Sequence, residues 1–81
     1  MMTAQETLIR KTPGVVGGDA CIRRTRIAVW MLMEMKRDGA SDMEILSDYP
    51  HLTLADLAAA WDYYSVNKEE IDETILANEA A

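Results

Sequence analysis

A chain of 81 residues supports one small domain with a single core, because it buries only about 60% of the surface its unfolded form exposes. With 49% hydrophobic and 27% charged residues it has the profile of a folded globular protein, which excludes a low-complexity or disordered chain. The formal charge of −6 is unevenly placed: residues 1–37 carry seven basic and three acidic side chains (+4), residues 38–81 only Lys68 against eleven acids (−10). Such an asymmetry predicts two surfaces with different partners.

Residues 1–6 read as a frayed terminus, without the apolar stretch of a secretory signal. Over residues 7–27 the turn formers Thr12-Pro13-Gly14 and Gly17-Gly18 separate short β-prone pieces, Thr7–Arg10, Val15–Val16 and Cys21–Ile22. Each is too short to be a stable sheet alone and needs helices, or another chain, to pack on.

From Ala28 the pattern becomes helical. Residues 28–38 are apolar nearly all round at first, which predicts a central helix or one at a dimer interface. Lys36 and Arg37 suit its last turn, and Gly39 sits where a C-cap belongs. Ser41 with Glu44 is a capping box that opens a short helix over 41–48, and Pro50 prevents its continuation. Thr53 with Asp56 repeats the signal, flanked by Leu52 and Leu57 at the staple positions. The helix over 53–66 is expected to bury Leu54, Leu57, Ala58, Trp61 and Tyr64 as one face. A last, acidic helix over 67–81 places Ile71, Ile75 and Leu76 on one side, with few core anchors and marginal order on its own. The fold class is therefore mainly α: a single domain, 1–81, with short N-terminal strands, a three-helix, helix-turn-helix-like (homeodomain-like) core over 28–66 and an acidic C-terminal helix.

Catalysis finds little support. His51 is the only histidine, and with Cys21 it falls short of a structural zinc set, so no metal, cofactor or catalytic group is expected. The lone cysteine cannot form an internal disulfide, which fits a reducing, cytoplasmic setting. The longest apolar run, Ile27 to Met33, is too short to span a membrane. Gly14-Val-Val-Gly17-Gly18 lacks the Lys-Ser/Thr ending of a phosphate loop. The basic cluster Arg23, Arg24 and Arg26 is the candidate for DNA contact, because guanidinium groups grip phosphate in bidentate fashion. The alternative is internal ion pairing, above all by Arg26, with the acidic half. The third helix holds no Lys or Arg, so DNA contact falls to the N-terminal segment rather than to a recognition helix.

The run from Thr12 to Trp30, Thr-Pro-Gly-Val-Val-Gly-Gly-Asp-Ala-Cys-Ile-Arg-Arg-Thr-Arg-Ile-Ala-Val-Trp, resembles the signature of the domain-of-unknown-function family numbered 433, roughly Gly-x-Pro-Cys-Ile-Arg-Gly-Thr-Arg-Ile-Pro-Val. The stretch from Asp38 to Leu57 resembles its second signature, and Tyr63-Tyr64 with Glu70-Ile71-Asp72 fits its ending, so the likeness runs over about residues 7–73. It departs at Arg24 (usually Gly), Ala28 (Pro) and Ala20 (Pro). The resemblance implies a predicted antitoxin: a homodimer that binds and neutralises a PIN-like ribonuclease toxin and represses its own operator DNA. The toxin-facing candidates are Glu69, Glu70, Ile71, Asp72, Glu73, Ile75 and Leu76, an acidic surface with an apolar stripe that would suit a basic RNA-binding groove. A stand-alone DNA-binding regulator and a structural dimerisation module are the alternatives.

Overall fold

The computed structural model of the chain describes residues 8–80. The terminus expected to fray, 1–6, together with Thr7 and Ala81, lies outside them. Two strands, β1 (Ile9–Lys11) and β2 (Ala20–Ile22), precede four helices: α1 (Val29–Arg37), α2 (Asp42–Asp48), α3 (Leu54–Val66) and α4 (Lys68–Ala80). The chain is mainly helical, with one small sheet at its N-terminal end.

The strands pair antiparallel with Ile9 opposite Ile22, Arg10 opposite Cys21 and Lys11 opposite Ala20. A two-stranded sheet is marginal in water. This one is held by packing on helices: Ala20, Cys21 and Ile22 are all buried, and β2 lies against α1 while β1 lies against α3. The β-prone pair Val15–Val16 forms no strand. Val16–Gly18 makes a tight 3-10 turn instead, with Val16 itself at φ +48°. Three consecutive glycine-type conformations (Val16, Gly17, Gly18) reverse the chain between the strands, which leaves no extended backbone for a third one.

Helix α1 is the central element. It packs on β2, α2, α3 and α4, with Val29 and Leu32 fully buried and Trp30, Met33 and Met35 half-buried around them. Burial on several sides is what its nearly unbroken apolar sequence requires. Its end is a full Schellman motif: Gly39 at φ +96° lets its N–H reach Lys36 O (3.1 Å) while Ala40 N–H reaches Met35 O (3.0 Å). Helices α2 and α3 both start at true capping boxes. Ser41 Oγ accepts from Glu44 N–H and Glu44 Oε1 from Ser41 N–H; Thr53 Oγ1 accepts from Asp56 N–H and Asp56 Oδ2 from Thr53 N–H. Leu52 and Leu57 beside the second box are buried, as a hydrophobic staple requires.

Two sequence expectations are corrected here. Helix α3 does not bury Leu54 and Ala58. Both are exposed, and the inward residues are Asp56, Leu57, Ala59 and Ala60. The helix is wedged between α1, α4 and β1, so it is turned to bury small alanines and one carboxylate rather than the stripe that its apolar periodicity marks. Helix α4 is not a loose tail. Ile71 (2% exposed) and Ile75 (1%) belong to the single hydrophobic cluster with Ile22, Val29, Leu32, Ile45, Leu57 and Ala60.

Candidate functional site: two charged surfaces

The basic segment lies at the turn between β2 and α1. Ile22 N–H donates to Ile27 O (2.9 Å), Thr25 N–H to Ile22 O (2.9 Å) and Arg23 N–H to Leu8 O, so residues 22–27 form a closed loop fixed to the residue just before the first strand. The Thr25 hydroxyl donates to Ile22 O (2.6 Å) and accepts from Ile27 N–H (3.0 Å), pinning the loop from inside. The left-handed residue is Arg23, at φ +47°, rather than Arg24. An arginine therefore stands at Arg24 without needing glycine's freedom, while the strain falls one residue earlier.

Arg23 bears that strain because its side chain is anchored. Its Nε donates to Asp56 Oδ1 (3.1 Å) and its Nη2 to Asp56 Oδ2 (3.0 Å) and His51 O (3.1 Å). This is a bidentate pair with a carboxylate only 1% exposed, which also accepts Thr53 N–H. Burial on its own would raise the pKa of Asp56. The Arg23 guanidinium and the hydrogen bonds from Thr53 outweigh it and hold the carboxyl below its ordinary value. Of the three arginines singled out by sequence, the one that pairs internally is thus Arg23 and not Arg26. Arg24 and Arg26 are exposed, and neither their side chains nor that of Arg10 form a hydrogen bond or ion pair with any described residue. The residues sequence reasoning missed are Asp56 and His51, which reach Arg23 from 33 and 28 positions away. Asp56 was visible only as a cap.

Arg10, Arg23 and Arg24 come together around a cavity of about 260 Å³, whose other lining residues are Thr12, Val15, Cys21 and Thr25. Cys21 is buried, its thiol donating weakly to Asp19 O at 3.4 Å; burial, then the Asp19 carboxylate, pushes its pKa up, so it is not an activated nucleophile. Among the described residues no cluster of His, Cys, Asp and Glu fits a metal ion, and no helix is long and apolar enough to cross a membrane.

The acidic surface is the outer side of α4, and the seven candidates named there separate into three groups. Ile71 and Ile75, expected to anchor a partner, are corrected: the chain's own core takes both side chains, because α1 offers them an apolar surface. Glu70 and Asp72 face inward at the rim. Glu70 pairs with Lys11 (3.1 Å) and accepts from Tyr63 Oη (3.0 Å); Asp72 pairs with Arg37 and accepts from Tyr64 Oη (2.9 Å). Glu70 raises the pKa of Lys11, and Tyr63 is raised by burial and then by the same carboxylate. Glu69, Glu73 and Leu76 remain exposed, spaced i, i+4, i+7 on one helix face, with Leu76 66% exposed.

Comparison with known proteins fixes the class of this fold. The family model described as "Protein of unknown function (DUF433)" matches residues 9–64, from β1 through most of α3, and the chain belongs to that family. One similar solved structure is the crystal structure of a DUF433 member protein from Anabaena variabilis ATCC 29413, 52% identical, with a TM-score of 0.85, covering 88% of this chain and 70% of that one. Among curated proteins none matches.

Proposed function

We propose that the protein is a non-enzymatic binding module of the antitoxin type, which docks a PIN-like ribonuclease through the outer face of α4. The observation that carries this reading is the exposed stripe Glu69, Glu73 and Leu76 on a helix whose opposite side is locked into the core. A rigid helix carrying carboxylates around one apolar side chain needs no ordering on binding, and it complements a groove built to hold RNA phosphates. The antitoxin role itself is what the family resemblance implies. In this reading α1, α2 and α3 form a helix-turn-helix-like core, supported by the tight Tyr49–Thr53 connection between the last two. Two copies associate as a cytoplasmic homodimer, a role for which the exposed Met43, Leu54 and Val66 are available. No cofactor takes part.

The test is co-expression with the neighbouring reading frame, one partner tagged, followed by size-exclusion chromatography with light scattering. Deleting α4 would unfold the core, so the informative variants are the surface changes E69K, E73K and L76A, checked by circular dichroism. A complex that forms with the wild type and dissociates in these variants supports the reading; a complex indifferent to all three removes α4 as the docking face.

The second reading is a stand-alone DNA-binding regulator, favoured by the exposed Arg10, Arg24 and Arg26, whose side chains have no ion pair among the described residues. It has an N-terminal basic segment on the phosphates and no basic residue on α3. No complex with the neighbour, together with a salt-sensitive shift of the promoter by the protein alone, puts this reading in place of the first.

A further inference from the structure

We infer that the cavity between β1 and the β2–α1 loop is a binding pocket for one phosphate-type oxyanion, held by Arg10, Arg24, the Nη1 group of Arg23 and the Thr12 hydroxyl. The inference is independent of the α4 docking face and sharpens the DNA reading into a single seat for a phosphate group.

The charge balance comes first. Three arginines line the cavity and no carboxylate does. One positive charge is cancelled by the buried Asp56 behind Arg23. The other two have no counter-charge among the described residues, although Lys11, Lys36 and Arg37 each find a carboxylate in the acidic half. In a chain with a net charge of −6, these two arginines line one cavity without an ion pair among the described residues. Their mutual repulsion falls when an anion sits between them.

Donor capacity comes next. A guanidinium has five N–H groups, and Arg23 directs only Nε and Nη2 to Asp56 and His51, so Nη1 keeps both of its own. The Thr25 hydroxyl is consumed in pinning the loop. The Thr12 hydroxyl makes no hydrogen bond among the described residues. The lining thus presents donors and no competing side-chain acceptor with negative charge. The nearest carboxylate on this segment, Asp19, is turned to Trp30 Nε1 at 3.0 Å and is not part of the lining.

The third point is rigidity and size. The backbone of Arg10 is fixed by its strand register opposite Cys21, and that of Arg24 by a loop whose neighbours on both sides are hydrogen-bonded, so both guanidinium groups start from set positions at the cavity. A cavity of 260 Å³ lies below the roughly 300–1,000 Å³ typical of drug-sized ligands, which suits a single phosphate group with its water.

The probe is inorganic phosphate, titrated into the full chain by calorimetry at constant ionic strength set with chloride. Saturable binding of one equivalent is expected, with affinity reduced on the order of tenfold or more in R10A and in R24A. R26A, whose arginine is outside the cavity, should bind phosphate as the wild type does. A thermal melt in phosphate against chloride gives the same ordering through ligand-linked stabilisation. Absence of saturable binding, or equal loss in R26A, overturns the pocket and leaves only diffuse surface charge. A competition arm then identifies the source of the phosphate. Duplex promoter DNA that displaces phosphate, and that R10A and R24A both weaken, assigns the pocket to a nucleic-acid backbone. Phosphate binding that duplex DNA does not disturb keeps the pocket, assigns it to free phosphate or a phosphomonoester, and removes the DNA reading.

Discussion

Replacing Asp56 with alanine should be among the most damaging substitutions of a polar residue in this chain. The side chain is 1% exposed and holds three contacts at once: two charge-assisted bonds from Arg23 and the cap on Thr53 N–H. Losing the charge-assisted bonds to Arg23 costs about 1.5–3 kcal/mol, and losing the return bond to Thr53 N–H about 0.5–1.5 kcal/mol, while the Thr53 hydroxyl still caps the helix. Together they place Asp56→Ala near 3 kcal/mol, against a total stability of roughly 4–12 kcal/mol for a chain of this size. At about 4–8 °C per kcal/mol the melting temperature should fall by roughly 12–24 °C. Asp56→Asn separates the two contributions, because its amide oxygen still caps Thr53 while the ion pair is gone, so it should fall between wild type and alanine. The assay is urea unfolding followed by fluorescence of Trp30 and Trp61, with a lower midpoint and an unchanged slope. Acid titration checks the charge itself. The folded pKa of Asp56 is depressed, so its contribution is complete above the ordinary carboxyl pKa of about 3.9 and is lost as pH falls through the folded value. The gap between wild type and Asp56→Asn should therefore be constant from neutrality to about pH 5 and close below about pH 4. If both variants unfold within about 0.5 kcal/mol of wild type, the Arg23–Asp56 pair is not a structural anchor and the strained Arg23 backbone has another cause.

Two further outcomes follow from burial. Ile75→Ala, at a fully buried position of α4, should cost about 2–5 kcal/mol in the same urea assay. A loss below about 1 kcal/mol would mean that α4 is peripheral after all. Cys21 is 3% exposed and its pKa is raised by burial, so at pH 8 it should react with a thiol-specific disulfide reagent only as fast as the fold opens, and immediately in denaturant. Fast labelling of the native protein would show the β2 segment to be open.

How much of this was legible in sequence depends on the range of the interaction. Both capping boxes, the staple and the glycine stop of α1 were readable, because each is a contact between residues a few positions apart with its own side-chain signature. The central place of α1 was readable too, since a helix apolar on every side has to be covered. The rotation of α3 was not. Its burial of Asp56 in place of Leu54 depends on Arg23, 33 residues earlier, and nothing in the local periodicity encodes that partner. Ile71 and Ile75 were seen as an apolar stripe, but a stripe does not say whether its cover belongs to the same chain. The tight 3-10 turn at Val16–Gly18 was read as a strand piece because β-branched valines favour extended backbone wherever tertiary geometry leaves the choice to them.

The charge asymmetry carries the last step. All four ion pairs among the described residues join a base from residues 1–37 to an acid from residues 38–81: Lys11–Glu70, Arg23–Asp56, Lys36–Asp42 and Arg37–Asp72. Much of the opposition between the halves therefore serves to clasp the N-terminal hairpin and α1 to the later helices. What a partner could use is the remainder, which includes Arg10, Arg24 and Arg26 on one side and Glu69 and Glu73 on the other. This divides α4 by function at single-residue resolution. Charge reversal at Glu70 or Asp72 places a cation against Lys11 or Arg37 and strips Tyr63 or Tyr64 of its acceptor, so it should lower the unfolding midpoint. Charge reversal at Glu73 on the exposed face should leave the midpoint where it is and be felt only by whatever docks there, while at Glu69, in the first turn of α4, it should cost no more than the roughly 0.3–1 kcal/mol of a helix-dipole contact. Equal destabilisation at all four positions would mean that the outer stripe is not free, and the docking face would have to be sought elsewhere.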